Sequence, residues 1–408
     1  MRLAVISDWY LPRLGGIELY LNDLTQRLLA DGIDLEVLTP VPGPEVVNGV
    51  SVRRLCDMER PRGGYRFPPP DHAANGPDFL YLVNLFGLTR PGPIARLKAA
   101  LASGGFDLAH VHLGNTPFSY LAVNACLALG LPVVATFHSV LSPAERPFFA
   151  VGGWLLGCRR WPGRADLTAV SSFAAETRRA MLGDARLGVM PNCADVDYWG
   201  AVRQARAGRL RDKSRIELFA AMRLHPRKRP LLLLDAVEAA RRALPQGTQM
   251  RLRIAGGGPL RTRLEREIAA RDLTDTVELC GQLPREAVRA AVAEADLFLM
   301  PSHLESFGIA ALEARLAGLP VLAMRDSGMR DFLDDGVDSM LAADDRAFVE
   351  GLSRFVRDAA LRARLSEGSR RPLSGYSWDD LVENCRRAYA AALGRRETAG
   401  ALTRHPAT

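Results

Sequence analysis

Lysine is scarce in this sequence, where only Lys98, Lys213 and Lys228 occur among 53 basic residues. The formal net charge is still +7, so an anionic partner is permitted. Because arginine supplies almost all of the positive charge, the excess fits the composition of a GC-rich genome better than selection for phosphate contacts. We therefore expect no nucleic-acid partner.

Metal-ligand spacing, disulfide spacing and long apolar runs are also missing. The six cysteines are scattered without a C-x-x-C or Cys/His pattern, so the sequence indicates neither a disulfide framework nor a zinc site. The richest apolar stretch, residues 123–137, is interrupted by Asn124, Gly130 and Pro132, and the opening apolar run ends at Ser7. We expect a cytoplasmic protein with no visible signal peptide and no membrane span.

The length and the alternation of elements predict two α/β domains. A chain of 408 residues exceeds one ordinary core, and short β-rich apolar runs alternate with helical patterns, which is typical of parallel βαβ units. We expect two tandem Rossmann-like domains whose sheets face one cleft, where ligands of such proteins bind. The predicted parts are residues 1–200, residues 201–377, a helix over 378–394 and a flexible tail over 395–408, with the boundary in the polar stretch 199–214.

The stretch most informative about function is residues 296–323, DLFLMPSHLESFGIAALEARLAGLPVLA. It predicts a buried strand, a short loop with Glu305, and a helix that bears Glu313. The two carboxylates can therefore reach different parts of one extended ligand. The helix begins near Phe307 and Gly308, where free backbone N–H groups and the helix dipole favour an anion such as a diphosphate.

This E-x7-E arrangement, which continues into E-A-x-x-A-G-x-P-V, resembles the retaining glycosyltransferases of family four, which have the GT-B fold. Further matches are the pair Arg223 and Lys228 after the first strand of the second domain, the glycine turn 256–259, and the N-terminal loop 12–18. Together they span most of the chain. The details are nearest to phosphatidylinositol mannosyltransferase-like members, although the segments 191–195 and 329–331 depart from the family's pattern.

The resemblance implies a hexosyl transfer from a nucleotide diphosphate sugar to an acceptor, with no cofactor and no metal. The first domain would hold the acceptor, which stays unidentified. The resemblance implies catalytic roles for Glu305 and His112 and an acceptor-side role for His138. The implied donor-binding residues are Gly15, Gly16, Arg223, Lys228, Gly257, Phe307, Gly308 and Glu313.

Several alternatives stay open at the level of sequence. The carboxylates and cations could be surface charges, the glycines ordinary turns, and strand periodicity places His110 and His112 on the same face. The segment 148–161 mixes aromatic residues with arginines. This composition predicts either a helix packed on the first sheet or a peripheral membrane contact. A nucleotide-sugar epimerase and a catalytically silent glycan- or anion-binding protein are the competing functions.

Overall fold

The computed structural model describes residues 1–13, 15–55, 92–207 and 214–404, with side chains to residue 395. The chain forms two compact units. Unit 1 comprises Met1–Pro191 and Asp379–Thr408, and unit 2 comprises Asn192–Trp378. None of the helices in the described ranges has the length and hydrophobicity needed to traverse a lipid bilayer.

Unit 1 is built on an eight-stranded sheet with the order β3-β4-β2-β1-β5-β6-β7-β8. All neighbouring pairs are parallel except β3 with β4. The central strands are continuous apolar runs because helices cover parallel sheets on both faces. The strands are β1 (Arg2–Ser7), β2 (Asp34–Thr39), β3 (Val46–Val47), β4 (Val50–Arg54), β5 (Leu108–Leu113), β6 (Val133–Phe137), β7 (Asp166–Ala169) and β8 (Gly188–Val189). The helices are α1 (Gly16–Ala30), α2 (Gly92–Ser103), α3 (Pro117–Ala128), α4 (Glu145–Leu155) and α5 (Ser172–Arg178).

Unit 2 repeats this architecture around a six-stranded, wholly parallel sheet with the order β11-β10-β9-β12-β13-β14. Its core is formed by buried aliphatic side chains of these strands and of the helices beside them. The strands are β9 (Arg215–Ala221), β10 (Gln249–Ala255), β11 (Val277–Gly281), β12 (Leu297–Met300), β13 (Val321–Met324) and β14 (Ser339–Ala342). The helices are α6 (Val196–Ala207), α7 (Pro230–Arg242), α8 (Arg261–Ala270), α9 (Arg285–Glu294), α10 (Ile309–Leu316), α11 (Asp345–Arg357) and α12 (Ala359–Ser369).

The division between the units lies after Pro191. The sequence analysis placed it further along the chain, within the polar stretch 199–214. Much of that stretch is helix α6, which belongs to unit 2. Trp199 is buried, and the Arg206 guanidinium donates hydrogen bonds to the carbonyls of Val292 and Ala295 at the end of α9. These contacts give the polar helix a place in the unit 2 fold.

The C-terminal helix differs from its predicted form in length and in membership. Helix α13 (Trp378–Arg404) continues through most of the residues predicted as a flexible tail, and residues 405–408 lie outside the described ranges. It packs in unit 1, where Cys385 and Tyr389 are buried and Arg386 pairs with Asp31. The apolar face of the helix therefore has a partner in unit 1 as far as Ala392.

Candidate functional site

Lys228 and Glu305 form an ion pair at the carboxyl edge of the unit 2 sheet. Lys228 closes a 3₁₀ turn, Pro226–Lys228, that follows β9, and Glu305 lies in the loop between β12 and α10. The two strands are neighbours, so their following loops meet. The ammonium group contacts the Glu305 carboxylate directly, and their side chains are 31% and 12% exposed. The structure thus brings together the predicted phosphate ligand and the predicted catalytic carboxylate.

Glu313 lies one turn into α10, in a less polar environment than an ordinary surface carboxylate. Burial raises the pKa of Glu313 from 4.5 to about 7, and the positive charge of Arg285 and the Trp199 indole offset only part of that rise. A carboxylate with this pKa is only partly charged at neutral pH. Hydroxyl groups that donate hydrogen bonds to it would favour its charged form.

Phe307 and Gly308 contribute to the start of α10 in different ways. The Phe307 side chain is buried and packs on Phe332 and Tyr376 at ring-centroid distances of 5.3 and 6.1 Å. Only the backbone of Phe307 is therefore left for a ligand. Gly308 caps the helix with φ of 92°, and an added Cβ would lie 2.6 Å from Cγ of Met329, so glycine is required at this position.

The three glycines after β10 have separate roles. A Cβ on Gly256 would lie 1.8 Å from the carbonyl oxygen of Met222, and one on Gly258 would lie 2.6 Å from that of Leu224. These two glycines let the loop pack against the segment after β9. Gly257 has no such neighbour, its nearest contact being the Gln282 side chain at 3.6 Å, so its Cα is open to a ligand.

Arg223 lies two residues after the end of β9 and is exposed on the surface of unit 2. Its carbonyl oxygen accepts a hydrogen bond from the His225 amide, which shapes the turn that leads to Lys228. The two predicted phosphate ligands therefore lie on one short segment, with Arg223 before the turn and Lys228 at its end.

Gly15 and Gly16 form the start of α1 in unit 1. Gly15 is the N-cap, and a Cβ there would lie 2.3 Å from Oε2 of Glu18, whereas a Cβ on Gly16 would meet nothing within 4 Å. The Glu18 carboxylate is buried and forms an ion pair with Arg13. The helix start thus already holds one carboxylate near its N–H groups.

Three histidines stack at the carboxyl ends of β5 and β6 in unit 1. The rings of His110 and His112 lie 4.0 Å apart, as expected for side chains on the same face of a strand, and Nδ1 of His112 lies 2.9 Å from Nε2 of His138. Burial lowers the pKa of His110 and of His138 to about 3 and that of His112 well below its usual range. All three rings are neutral at pH 7.

Only one of the two predicted histidines is accessible. His112 is fully buried, and its Nε2 has no hydrogen-bond partner among the described residues. His138 is partly exposed and covers it. Of the two rings, His138 is therefore the one that reaches solvent, and His112 lies behind it within hydrogen-bond distance.

The loop over residues 114–116 is held by a buried carboxylate that the sequence analysis did not single out. Asp8, at the end of β1, accepts hydrogen bonds from the Gly114 amide, the Thr116 hydroxyl, and the Ser119 amide and hydroxyl. Burial raises the pKa of Asp8 to about 6 despite these four donors. Its position directly after a buried strand was the only signal in the sequence.

Arg178 holds the same loop from the other side. Its guanidinium is fully buried and donates to Oδ1 of Asn115 at 2.6 Å, to the Tyr120 hydroxyl at 2.9 Å, and to the Ser139 carbonyl and hydroxyl oxygens at 3.0 and 2.7 Å. Asn115 and Ser139 remain partly exposed beside His138. The amide nitrogen of Asn115 makes no hydrogen bond with a described residue and is available to donate to a ligand.

No group of three or more His, Cys, Asp or Glu side chains within the described residues is arranged to hold a metal ion. The carboxylate of Glu305 has a side-chain cation as its neighbour. Lys228 contacts that carboxylate directly.

Comparisons with known proteins agree with this architecture. The family model described as Glycosyltransferase Family 4 matches residues 14–198, and the model described as Glycosyl transferases group 1 matches residues 202–371. The D-inositol 3-phosphate glycosyltransferase of Acidothermus cellulolyticus is 29% identical, with 94% of this chain and 87% of that protein covered. The enzyme of the same name from Frankia alni is 28% identical, with 93% and 95% covered.

Solved structures are similar over nearly the whole chain. Sucrose-phosphate synthase from Thermosynechococcus elongatus has a TM-score of 0.70 and 21% identity, covering 96% of this chain and 99% of that one. HepE from Anabaena in complex with UDP has a TM-score of 0.68 and 17% identity, covering 96% and 100%. These comparisons favour neither the epimerase nor the silent binding protein. The chain belongs to glycosyltransferase family four and is a hexosyltransferase with the GT-B fold.

Proposed function

We propose that the protein moves a hexosyl group from a nucleotide diphosphate sugar to a hydroxyl group of an acceptor, with retention of configuration and without a metal ion. The observation that carries the proposal is the direct contact between Lys228 and Glu305 beside the start of α10. In this pair the Lys228 ammonium suits a diphosphate, and the Glu305 carboxylate suits a sugar that develops positive charge.

The leaving group needs positive charge as the bond between sugar and phosphate lengthens. Lys228, Arg223 and the first backbone N–H groups of α10 supply it in our proposal. An incoming diphosphate competes with Glu305 for the Lys228 ammonium. Glu305 is then released toward the sugar, where its charge stabilises the oxocarbenium-like transition state.

The nucleoside end of the donor is assigned to Glu313. A ribose presents two neighbouring hydroxyl donors, and the two oxygens of one carboxylate can accept both. The desolvation that raises the pKa of Glu313 is then offset by these hydrogen bonds in the complex. Gly257, whose Cα is open, lets the donor approach the loop after β10.

The acceptor is assigned to unit 1. His138, Asn115 and Ser139 are partly exposed at the ends of neighbouring strands, and two of them are positioned by Arg178. Neutral histidine and amide groups donate or accept hydrogen bonds with a polyol. Because relatives are named D-inositol 3-phosphate glycosyltransferase, an inositol phosphate is the first acceptor to test.

We further propose a cytoplasmic location. The cysteines within the described residues are free thiols, which suits a reducing compartment. Contact with the inner face of the membrane would be peripheral in this proposal.

The test is a mass-spectrometric screen of the purified chain with UDP-, GDP- and ADP-hexoses, each with inositol phosphates and with lipid acceptors. We expect a product one hexosyl unit heavier, formed in excess EDTA, whose anomeric configuration matches the donor. Glu305→Gln should lower kcat by about 100-fold or more with the fold intact. An inverted product, or activity that EDTA abolishes and Mg²⁺ restores, would contradict the mechanism.

A further inference from the structure

Helix α4 carries an exposed apolar stripe that the transfer reaction does not use. Phe148, Val151, Trp154 and Leu155 are 55%, 60%, 63% and 70% exposed. They recur at helical spacing and therefore share one face of the helix. Exposed aromatic and aliphatic side chains that adjoin each other in this way mark an interaction surface.

The opposite face of α4 fixes the helix on unit 1. Gly153 is buried, and an added Cβ there would lie 2.2 Å from Cγ of Met181. The Asn124 amide donates to the Leu156 carbonyl oxygen at 2.7 Å, just after the helix. The glycine face of α4 thus packs on the 3₁₀ turn Arg179–Leu182, where the sequence predicted packing on the sheet, and the apolar stripe is directed away from unit 1.

The charges that follow along the chain have one sign, although α4 itself begins at Glu145, whose carboxylate accepts hydrogen bonds from Ser142. From residue 146 to residue 164 every charged residue is an arginine, namely Arg146, Arg159, Arg160 and Arg164, and all four are exposed. Two of them follow the helix within one turn. A second copy of this chain is therefore a poor partner, because a symmetric contact would bring these like charges together.

We propose that the stripe and its arginines dock on an anionic lipid bilayer, with α4 lying in the plane of the interface. Trp, Phe and Leu side chains enter the boundary between headgroups and acyl chains, and arginines beside them bind the negative surface. The helix would be a peripheral contact, since its 11 residues cannot span a bilayer. This inference rests on the peripheral membrane contact of the proposed function, for which it names the surface, and it does not depend on the identity of donor or acceptor.

The test is co-sedimentation of the full chain with vesicles of pure phosphatidylcholine and with vesicles that also contain phosphatidylglycerol, an anionic lipid. We expect binding to the anionic vesicles that weakens as salt rises. Arg159→Ala with Arg160→Ala should lower that binding by about 25-fold, at roughly fivefold per arginine. The matched control is Arg354→Ala with Arg357→Ala, two exposed arginines of unit 2.

The apolar part has its own pair of variants. Trp154→Ser with Leu155→Ser should abolish most of the vesicle binding, whereas Leu129→Ser, at a residue that is 47% exposed elsewhere on unit 1, should not change it. Donor hydrolysis should be equal in all variants, which separates this inference from the proposed reaction. Equal binding to both kinds of vesicle, or unchanged binding by both α4 variants, would overturn the proposal. So would a concentration-dependent dimer that the Trp154 and Leu155 changes disrupt, because the stripe would then be an interface between copies.

Discussion

Glu313→Gln should increase the stability of the protein at alkaline pH and weaken donor binding in the same molecule. The pKa of Glu313 is raised from 4.5 to about 7 by burial. Between these two values the folded state holds a proton that the unfolded state has lost, so the wild-type free energy of unfolding falls as pH rises through this window. Glutamine has nearly the same shape and no charge, and it removes this penalty.

The rise from 4.5 to about 7 corresponds to about 3 kcal/mol at about 1.4 kcal/mol per pH unit. Because part of the Glu313 side chain reaches solvent, we expect about 2 to 3 kcal/mol of added stability at pH 8 and little at pH 4.5. Asp8 titrates in an overlapping range, but it does so in both proteins and cancels in their difference.

Urea unfolding at pH 4.5 and pH 8 measures this difference directly. The matched control is Glu350→Gln, at an exposed carboxylate on α11, for which the stability difference from wild type should be the same at both pH values. Donor binding by calorimetry completes the assay, and we expect the dissociation constant of Glu313→Gln to rise about tenfold or more as a charge-assisted hydrogen bond is lost. A variant that gains no stability at pH 8, or that binds donor as tightly as wild type, would refute the reasoning.

Three further predictions test the two units. Lys228→Ala should weaken binding of the donor's nucleoside diphosphate by about 10- to 100-fold and leave binding of the matching nucleoside nearly unchanged, as calorimetry would measure, because the lost contact is to phosphate; equal losses would contradict this role. Gly257→Ala should fold normally with a raised donor KM, whereas Gly256→Ala should unfold at a lower urea concentration because its Cβ meets a backbone carbonyl. Similar behaviour of the two variants would contradict the proposal that the donor approaches Gly257. Arg178→Met should raise the acceptor KM about tenfold and leave the donor KM unchanged. The double variant with Asn115→Ala should raise the acceptor KM little further, because both residues act on one contact with the acceptor. Additive effects of the two substitutions would show that they act independently.

The strands and the E-x7-E stretch could be predicted because their signals are local. Buried parallel strands appear in sequence as short apolar runs, and the loop and helix that hold Glu305 and Glu313 follow one of them directly. Helix α6 could not be recognised, because its residues are polar and its stability depends on contacts of Trp199 and Arg206 with other parts of unit 2.

Contacts between residues that are far apart in the chain could not be predicted from the sequence, for a different reason. Lys228 and Glu305 are 77 positions apart, and only the adjacency of β9 and β12 makes them a pair. Arg178 is one of many arginines, and nothing local distinguishes a fully buried guanidinium from a surface one. Strand periodicity correctly placed His110 and His112 on one face, but the burial of His112 depends on the side chains that cover it.

The membership of α13 in unit 1 has a consequence for the order in which the protein is made. Tyr389 donates to or accepts from Nδ1 of His110 at 2.9 Å, and both groups are buried. During synthesis the whole of unit 2 leaves the ribosome before this helix does, so unit 2 can fold while unit 1 still lacks its last element. A chain that stops after Trp378 would contain every predicted donor residue and would still leave His110 uncovered. The histidine cluster is therefore completed only after the whole of unit 2 has been translated.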